Sequence, residues 1–520
     1  MKIVPKPLSV EYAEGIFVFN KKTKVDVEEY IYNELFFLDF DEVVENSVEI
    51  DISDIKFDYI IEIADKIKIT LKDKKQLFYS IQSLKQLIFE YYNDGKSEIP
   101  YMTIKDKAKM EYRGYMLDIS RHFFGLDVIK QVVDCISLAK INKLHLHLSD
   151  DQGFRVESKI YPRLNEIGSV RKETYGDGKE HRGYLKQEEI KELVEYCDKR
   201  GVEVIPEIDL PGHTVSVIAS YPELSCFNTK VETATWAGIN YYVLCLANEK
   251  VYEFISNLLK EILDLFPSKY VHLGGDEAPS YSWSLCPKCQ ELYKKSGVKG
   301  YYEYQLLFTN KVAEIVKGLG KVPIMWNEAF SGGMNKDAVM QYWSEDFRKK
   351  VGAKHTANGQ KTIISRRTSH YLDYPHYPTS MKKVYKYNPK RDGFKRMDNI
   401  LGFEAPLWSE FVPNTEKLFK NTFPRVFALA EATWSENKNY RDFKNRLCNL
   451  LGIMEAYEYP YEELKNVDSK SIPNIHKVIK FGMGFAKVAN HREKENQKKK
   501  ILEISKSNGL DTYKQEKWYR

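Results

Sequence analysis

The hydrophobic pattern divides the chain into two rhythms. In the first 110 residues, Val48–Ile52 and Lys66–Leu71 alternate apolar and polar side chains, as half-buried strands do, and Ile16–Phe19 is a short apolar run of the same kind. Gln76–Tyr92 switches to helical spacing, with Leu84, Leu87 and Ile88 on one face. These elements predict a small α/β domain over residues 1–110.

From Arg113 onward a strand and then a helix recur. The pattern predicts strands at Tyr115–Ile119, Lys143–Leu148, Glu203–Ile208, Tyr270–Gly274, Pro323–Trp326, Ala338–Tyr342, Thr362–Ser365 and Ile400–Phe403. Helices are predicted between them, clearest over Asp127–Lys140, Gln187–Arg200, Glu249–Phe266 and Tyr302–Leu319. Eight such units point to a (β/α)8 TIM barrel over residues 111–457, with a doubly wound open sheet as the alternative. Residues 458–520 read as a helical extension. Its Lys- and Glu-rich stretch from His491 to Ile501 reads as a solvated face with no assigned chemistry.

Polar and aromatic residues cluster at or after every predicted barrel strand: Asp118 and Arg121, Asp150 and Asp151, Asp209 and His213, Asp276 and Glu277, Trp326 and Glu328, Trp343 and Glu345, Tyr371 and Asp373, Trp408 and Glu410. Barrel enzymes carry their chemistry at the C-terminal ends of strands. Eight clusters in succession are hard to explain as solvated loops.

Composition narrows the class. The chain has 520 residues, 43% hydrophobic and 29% charged, with 79 basic against 74 acidic side chains and a net charge of +5. This near balance gives no footprint for nucleic acid. No segment reaches the ~20 apolar residues of a membrane helix, so no membrane partner is expected. Seven scattered cysteines and a start without a signal-peptide pattern suggest reduced thiols and a cytoplasmic setting, or secretion if a leader was removed. Cys286 and Cys289 are the one close pair. Two ligands do not complete a tetrahedral zinc site, so free thiols are expected there and no metal is assigned.

The most specific motif is His272-Leu273-Gly274-Gly275-Asp276-Glu277. Its glycines permit a tight turn, and its adjacent acids repel each other unless a site uses them. The hexapeptide resembles the signature of family 20 glycoside hydrolases, the β-N-acetylhexosaminidases. The resemblance extends from about Pro5 to Glu431, through Arg113–Arg121, Leu144–Arg155 and Pro206–His213, with Phe154 where the family usually has Trp.

That resemblance implies a retaining exo-enzyme that removes terminal β-linked N-acetylglucosamine, N-acetylgalactosamine or both. It implies no metal or organic cofactor, and a glycan with a terminal N-acetylhexosamine as partner. Glu277 is expected as general acid and base, Asp276 as acceptor for the acetamido N–H, and Tyr371 as donor to the acetamido oxygen. The substrate's own acetamido group would be the nucleophile. A like charge on Asp276 would keep Glu277 protonated. Arg113 would bind the 3- and 4-hydroxyls. Asp150 and His213 would lie against the sugar. Trp326, Trp343 and Trp408 would wall the site, and Asp373 and Glu410 would accept from the 4- and 6-hydroxyls. Asp209 and His272 would support the acids from behind.

Two other readings follow from the residues. His145 and His147 share one strand face, an H-x-H pair also found in metal-dependent amidohydrolases. A catalytically silent, glycan-binding barrel is the other. It would usually have lost Glu277 or Tyr371, and this chain keeps both.

Overall fold

The computed structural model describes residues 1–344, 351–436, 438–468, 472–488 and 491–507. Glu345 lies outside the described residues. The N-terminal part is a mixed seven-stranded sheet. Its strands include the three expected ones, seen at Ser9–Phe19, Asn46–Ile52 and Ile67–Leu71, and two that the pattern did not reveal, Tyr59–Ile63 and Lys96–Asp106. The helix Leu77–Glu90 lays Ile81, Leu84, Leu87 and Ile88 into the sheet's core.

The second rhythm closes into a barrel. Its eight parallel strands are β1 (Tyr112–Asp118), β2 (Lys143–His147), β3 (Glu203–Glu207), β4 (Tyr270–His272), β5 (Val322–Trp326), β6 (Val339–Tyr342), β7 (Thr362–Ile364) and β8 (Ile400–Leu407). β8 pairs with β1, so the sheet has no edge, and the open-sheet alternative is set aside.

Strand alternation sorts the barrel into layers. Outward residues such as Tyr115, Leu117, Leu144 and Leu146 pack into the large core under the helices. Inward residues fill the lumen. At the N-terminal end lies an apolar plug of Tyr112, Ile205, Tyr270, Ile324, Val339 and Ile363. Two positions further along most strands come His145, Glu207, His272, Gln341 and Glu404, all fully buried or nearly so. Above them an aromatic group of Trp326, Trp343 and Tyr371, with Trp408 against it, reaches the mouth.

The N-terminal sheet is fastened to the bottom of the barrel. Asp106 receives Lys140 Nζ at 3.1 Å and Trp434 Nε1 at 2.9 Å, all buried. Two C-terminal helices, Ile472–Val488 and His491–Ser507, follow the barrel. Among the described residues, no helix is long and apolar enough to cross a membrane.

Candidate active site

The mouth of the barrel holds a cup whose lining includes Arg121, His213, Asp276, Glu277, Trp343, Tyr371, Asp373, Tyr374, Trp408 and Glu410. Its volume of about 270 Å³ lies just under the ~300–1,000 Å³ of drug-sized sites, room for one sugar unit.

The turn that carries the acid pair is set by glycines. Gly274 has φ +63°, and a Cβ there would fall 1.6 Å from Asp209 Oδ1. With no side chain in the way, Asp209 Oδ1 accepts the Gly275 N–H at 3.2 Å. Glu277 itself has φ +42°, and its N–H donates to Glu328 Oε2 at 2.6 Å. The turn therefore aims two neighbouring side chains differently. The Glu277 side chain is 30% exposed, against 12% for Asp276. Asp276 Oδ1 is buried and has no hydrogen-bond partner among the described residues.

A charged relay runs behind the acids. Arg121 Nη2 meets Asp150 Oδ2 at 2.5 Å, and Asp150 Oδ1 lies 3.1 Å from His213 Nδ1. His213 Nε2 then lies 3.7 Å from Glu277 Oε2 and 3.9 Å from Asp276 Oδ2. Burial opposes charge on His213, but Asp150 outweighs it and raises the imidazole well above its ordinary value. Burial likewise pushes the Asp150 carboxyl up, and Arg121 and His213 hold it far below the usual range.

The acids respond unequally. Burial, and after it the Glu277 charge, lifts Asp276 to about 6 although His213 resists. Burial also works to raise Glu277, but His213, Arg121 and Lys494 together hold it below the ordinary carboxylate value. This reverses the ordering expected from the dipeptide alone, because the cations stand nearer the more open acid. Burial and the charges of Asp276 and Glu277 push Glu328 up to about 8. Asp209, buried and facing Asp276, is raised well above its usual range.

The aromatic walls interlock. Trp343 and Tyr371 stack with centroids 6.3 Å apart, and Tyr371 and Trp408 lie 6.2 Å apart. Trp326 does not line the cup. It lies under Trp408 at 5.8 Å and donates Nε1 to Glu207 Oε1 at 3.0 Å. Asp373 and Glu410 both line the cup; burial and then the Glu410 charge raise Asp373, and burial with the charges of Asp118 and Asp150 raises Glu410, although Arg121 pulls it the other way.

The barrel interior explains the H-x-H pair. Glu207 lies 2.5 Å from His147 Nδ1, 3.1 Å from His145 Nε2 and 2.8 Å from His272 Nδ1, and Glu404 takes His145 Nδ1 at 3.0 Å. Burial opposes charge on His145, yet Glu404 and Glu207 raise it to about 9. These histidines lie beneath Trp326 and Trp408 and outside the lining of the cup. His145 and His147 act as ion-pair partners of the buried glutamates, whereas burial outweighs Glu207 at His272 and lowers its imidazole, which leaves it a neutral hydrogen-bond partner. Neither Glu207 nor Glu404 stands out in the sequence, because an inward Glu on a strand has no local signature.

Arg113 is not brought to the site. It begins β1 at the far end of the barrel and shares the outward parity of Tyr115 and Leu117. Its Nε donates to Lys140 O at 2.8 Å, and its guanidinium stacks 4.8 Å from the Trp434 ring. Arg121, eight residues on and past the strand's C-terminal end, lines the cup and covers the Trp408 ring at 4.8 Å. The rule that barrel chemistry follows the strand already favours Arg121 over Arg113.

The C-terminal extension also departs from expectation. Lys494 lines the cup, its Nζ 3.8 Å from the Cβ position of Gly238. Phe481 packs against Tyr374 at 5.2 Å and Phe411 at 5.5 Å. A Lys/Glu run reads as solvated because nothing local shows which of its lysines meets another loop.

Comparison with known proteins agrees with this architecture. The profile described as "Glycosyl hydrolase family 20, catalytic domain" matches residues 110–437. The chain is similar to a β-hexosaminidase of Porphyromonas gingivalis, 34% identical over 406 residues, covering 74% of this chain and 52% of that protein. It is equally similar to one from Akkermansia muciniphila, 34% identical over 399 residues, covering 74% and 81%. The chain thus spans about half the length of the first relative and about four-fifths of the second. Among solved structures, the GH20 exo-β-N-acetylglucosaminidase from Vibrio harveyi in complex with N-acetylglucosamine aligns with a TM-score of 0.79 at 27% identity, over 89% of this chain and 78% of that one. The GH20 β-N-acetylhexosaminidase from Streptomyces coelicolor aligns with a TM-score of 0.79 at 26% identity, over 91% and 98%.

Proposed function

The chain belongs to glycosyl hydrolase family 20, and from that premise we propose that it is a retaining exo-β-N-acetylhexosaminidase acting by substrate-assisted catalysis. The substrate is a glycan ending in β-linked N-acetylglucosamine or N-acetylgalactosamine. The observation that carries the reading is one half-open carboxyl, Glu277, facing a cup of one-sugar size beside a buried, unpartnered carboxylate oxygen on Asp276.

Most glycosidases need two carboxylates on opposite sides of the bond, and family 20 is a known exception in which the sugar's acetamido group replaces one of them. In the first step Glu277 donates its proton to the glycosidic oxygen. The acetamido carbonyl oxygen attacks C1, the C1–O bond breaks, and an oxazolinium ion forms. Glu277, now ionised, takes a proton from water, and that water opens the ring at C1 with net retention.

Asp276 Oδ1 gains its missing partner from the acetamido N–H. That hydrogen bond and the positive charge growing on the ring favour the ionised form of Asp276. The change offsets the ordering of the two acids described above, because the single proton of the pair is then better held by Glu277. Tyr371 donates to the acetamido oxygen and aligns it for attack. Trp343 and Trp408 enclose the sugar, and Arg121, Asp373 and Glu410 meet its hydroxyls. Arg121 thereby takes the role expected of Arg113.

The test is a comparison of chromogenic β-N-acetylglucosaminide, β-N-acetylgalactosaminide, lacto-N-bioside and β-glucoside. Release is expected only from substrates whose cleaved sugar bears the 2-acetamido group, with the monosaccharides preferred. Hydrolysis of the β-glucoside at a comparable rate would refute the assisted mechanism.

A further inference from the structure

Four of the seven cysteines meet in one place. Cys226, Cys245, Cys286 and Cys289 bring their sulfurs within 4.8 Å of one another, with Cys245 Sγ 3.6 Å from Cys289 Sγ and 4.0 Å from Cys286 Sγ. All four are free thiols, three of them buried and Cys226 half-buried. The geometry points to a structural zinc site with four thiolate ligands.

The spacing carries the argument. Zinc bound to four thiolates at ~2.3 Å in a tetrahedron sets its sulfurs ~3.8 Å apart. The separations of 3.6 and 4.0 Å bracket that value, and both are far above the ~2.05 Å of a disulfide. Burying four thiols together without a ligand gathers weak hydrogen-bonding groups for no packing gain that valine or alanine would not supply. Sulfur-only, tetrahedral ligation selects zinc among common divalent ions.

The fold builds the cluster from two directions. An antiparallel bridge joins Ser225 to Leu244, and the Cys245 N–H donates to Leu224 O at 2.9 Å, so Cys226 and Cys245 are held side by side although 19 positions apart. Cys286 caps the helix Pro287–Ser296, and Cys289 lies in its first turn. The free N–H groups and positive end of that helix favour thiolates there. Binding releases four thiol protons and leaves a net charge of −2, which this helix end partly offsets.

The position gives the metal a task. The segment between Cys226 and Cys245 carries Ala237, Gly238 and Ile239 to the cup, and its Asn240 donates Nδ2 to Asp151 Oδ2 at 2.6 Å. The other pair follows the Asp276–Glu277 turn by nine residues. One ion would clip the rim loop to the segment bearing the acids, outside the reaction itself.

The experiment is elemental analysis of the full chain, purified in reductant without an immobilised-metal step. About one zinc per chain is expected, released on titration with an organomercurial and read with a zinc dye, with a fall in Tm as it leaves. Cys289→Ser is expected to lose the zinc, and Cys448→Ser, altered at an exposed cysteine outside the cluster, to keep it. Wild-type protein with four titratable thiols and no metal, with disulfides by mass spectrometry, or with iron instead of zinc would each overturn the assignment.

Discussion

His213 bridges Asp150 and Glu277: its Nδ1 is 3.1 Å from Asp150 Oδ1 and its Nε2 is 3.7 Å from Glu277 Oε2. This cation decides how the acid pair titrates. Activity needs one proton on the pair, and Asp276 holds its proton up to about pH 6. As pH rises through about 6 that proton leaves, so kcat/KM is expected to fall on the alkaline side of this value. In His213→Gln the opposing charge is gone while burial and the Glu277 charge remain, so the alkaline limb moves to higher pH. A pH profile of kcat/KM for both proteins checks this. An unshifted limb contradicts the coupling.

Glu277→Gln keeps the shape of the side chain and removes the transferable proton. A loss of roughly 10²-fold or more in kcat is expected, the scale of one general acid, with a smaller change in KM. Substrates with a very acidic leaving group need less protonation and are expected to lose less in the first step. Steady-state rates across a series of aryl N-acetylglucosaminides measure the difference.

Arg121 and Arg113 separate binding from folding. Arg121→Met removes charge-assisted contacts worth about 1.5–3 kcal/mol, so kcat/KM is expected to drop roughly 10- to 150-fold. Arg113→Met leaves the cup untouched and strips a buried guanidinium from Lys140 O and the Trp434 ring. It is expected to lower Tm while the folded fraction keeps its KM. A raised KM in Arg113→Met would restore the role first expected of it.

Glu328 gives a stability signature. Its carboxyl titrates near 8 in the folded protein and at about 4.5 in the unfolded chain. Between these values the folded state keeps a proton that the unfolded state has lost, so stability falls as pH rises. Glu328→Gln, still able to accept the Glu277 N–H, has no such proton. Its Tm advantage over the wild type is expected to be negligible near pH 4.5 and to grow up to about pH 8. Thermal melts across that range test the sign. A gap that shrinks with pH contradicts it.

Much of the fold was legible because local patterns are cooperative with it. The eight strand positions read from apolar runs agree with the barrel to within a few residues, since each run must be buried on both faces. Tyr59–Ile63 and Lys96–Asp106 are not legible because alternation breaks at the adjacent Ile60 and Ile61 in the first and at Pro100 and the adjacent Tyr101 and Met102 in the second. The Gly-Gly-Asp-Glu turn was legible because close approach demands glycine there, and Asp209 at 1.6 Å from a notional Cβ shows why.

The amino-acid sequence alone determined the elements, their order and the identity of the acid pair, for these depend on neighbours along the chain. Tertiary structure decided what depends on distance in space. It turned Arg113 outward through strand parity, brought Arg121 to the cup on the segment past the strand's end, gathered Cys226 and Cys245 to Cys286 and Cys289, and carried Lys494 from a charged tail to the rim of the cup. It also set which acid holds its proton more tightly, since electric fields sum over every nearby charge irrespective of where it lies in the chain.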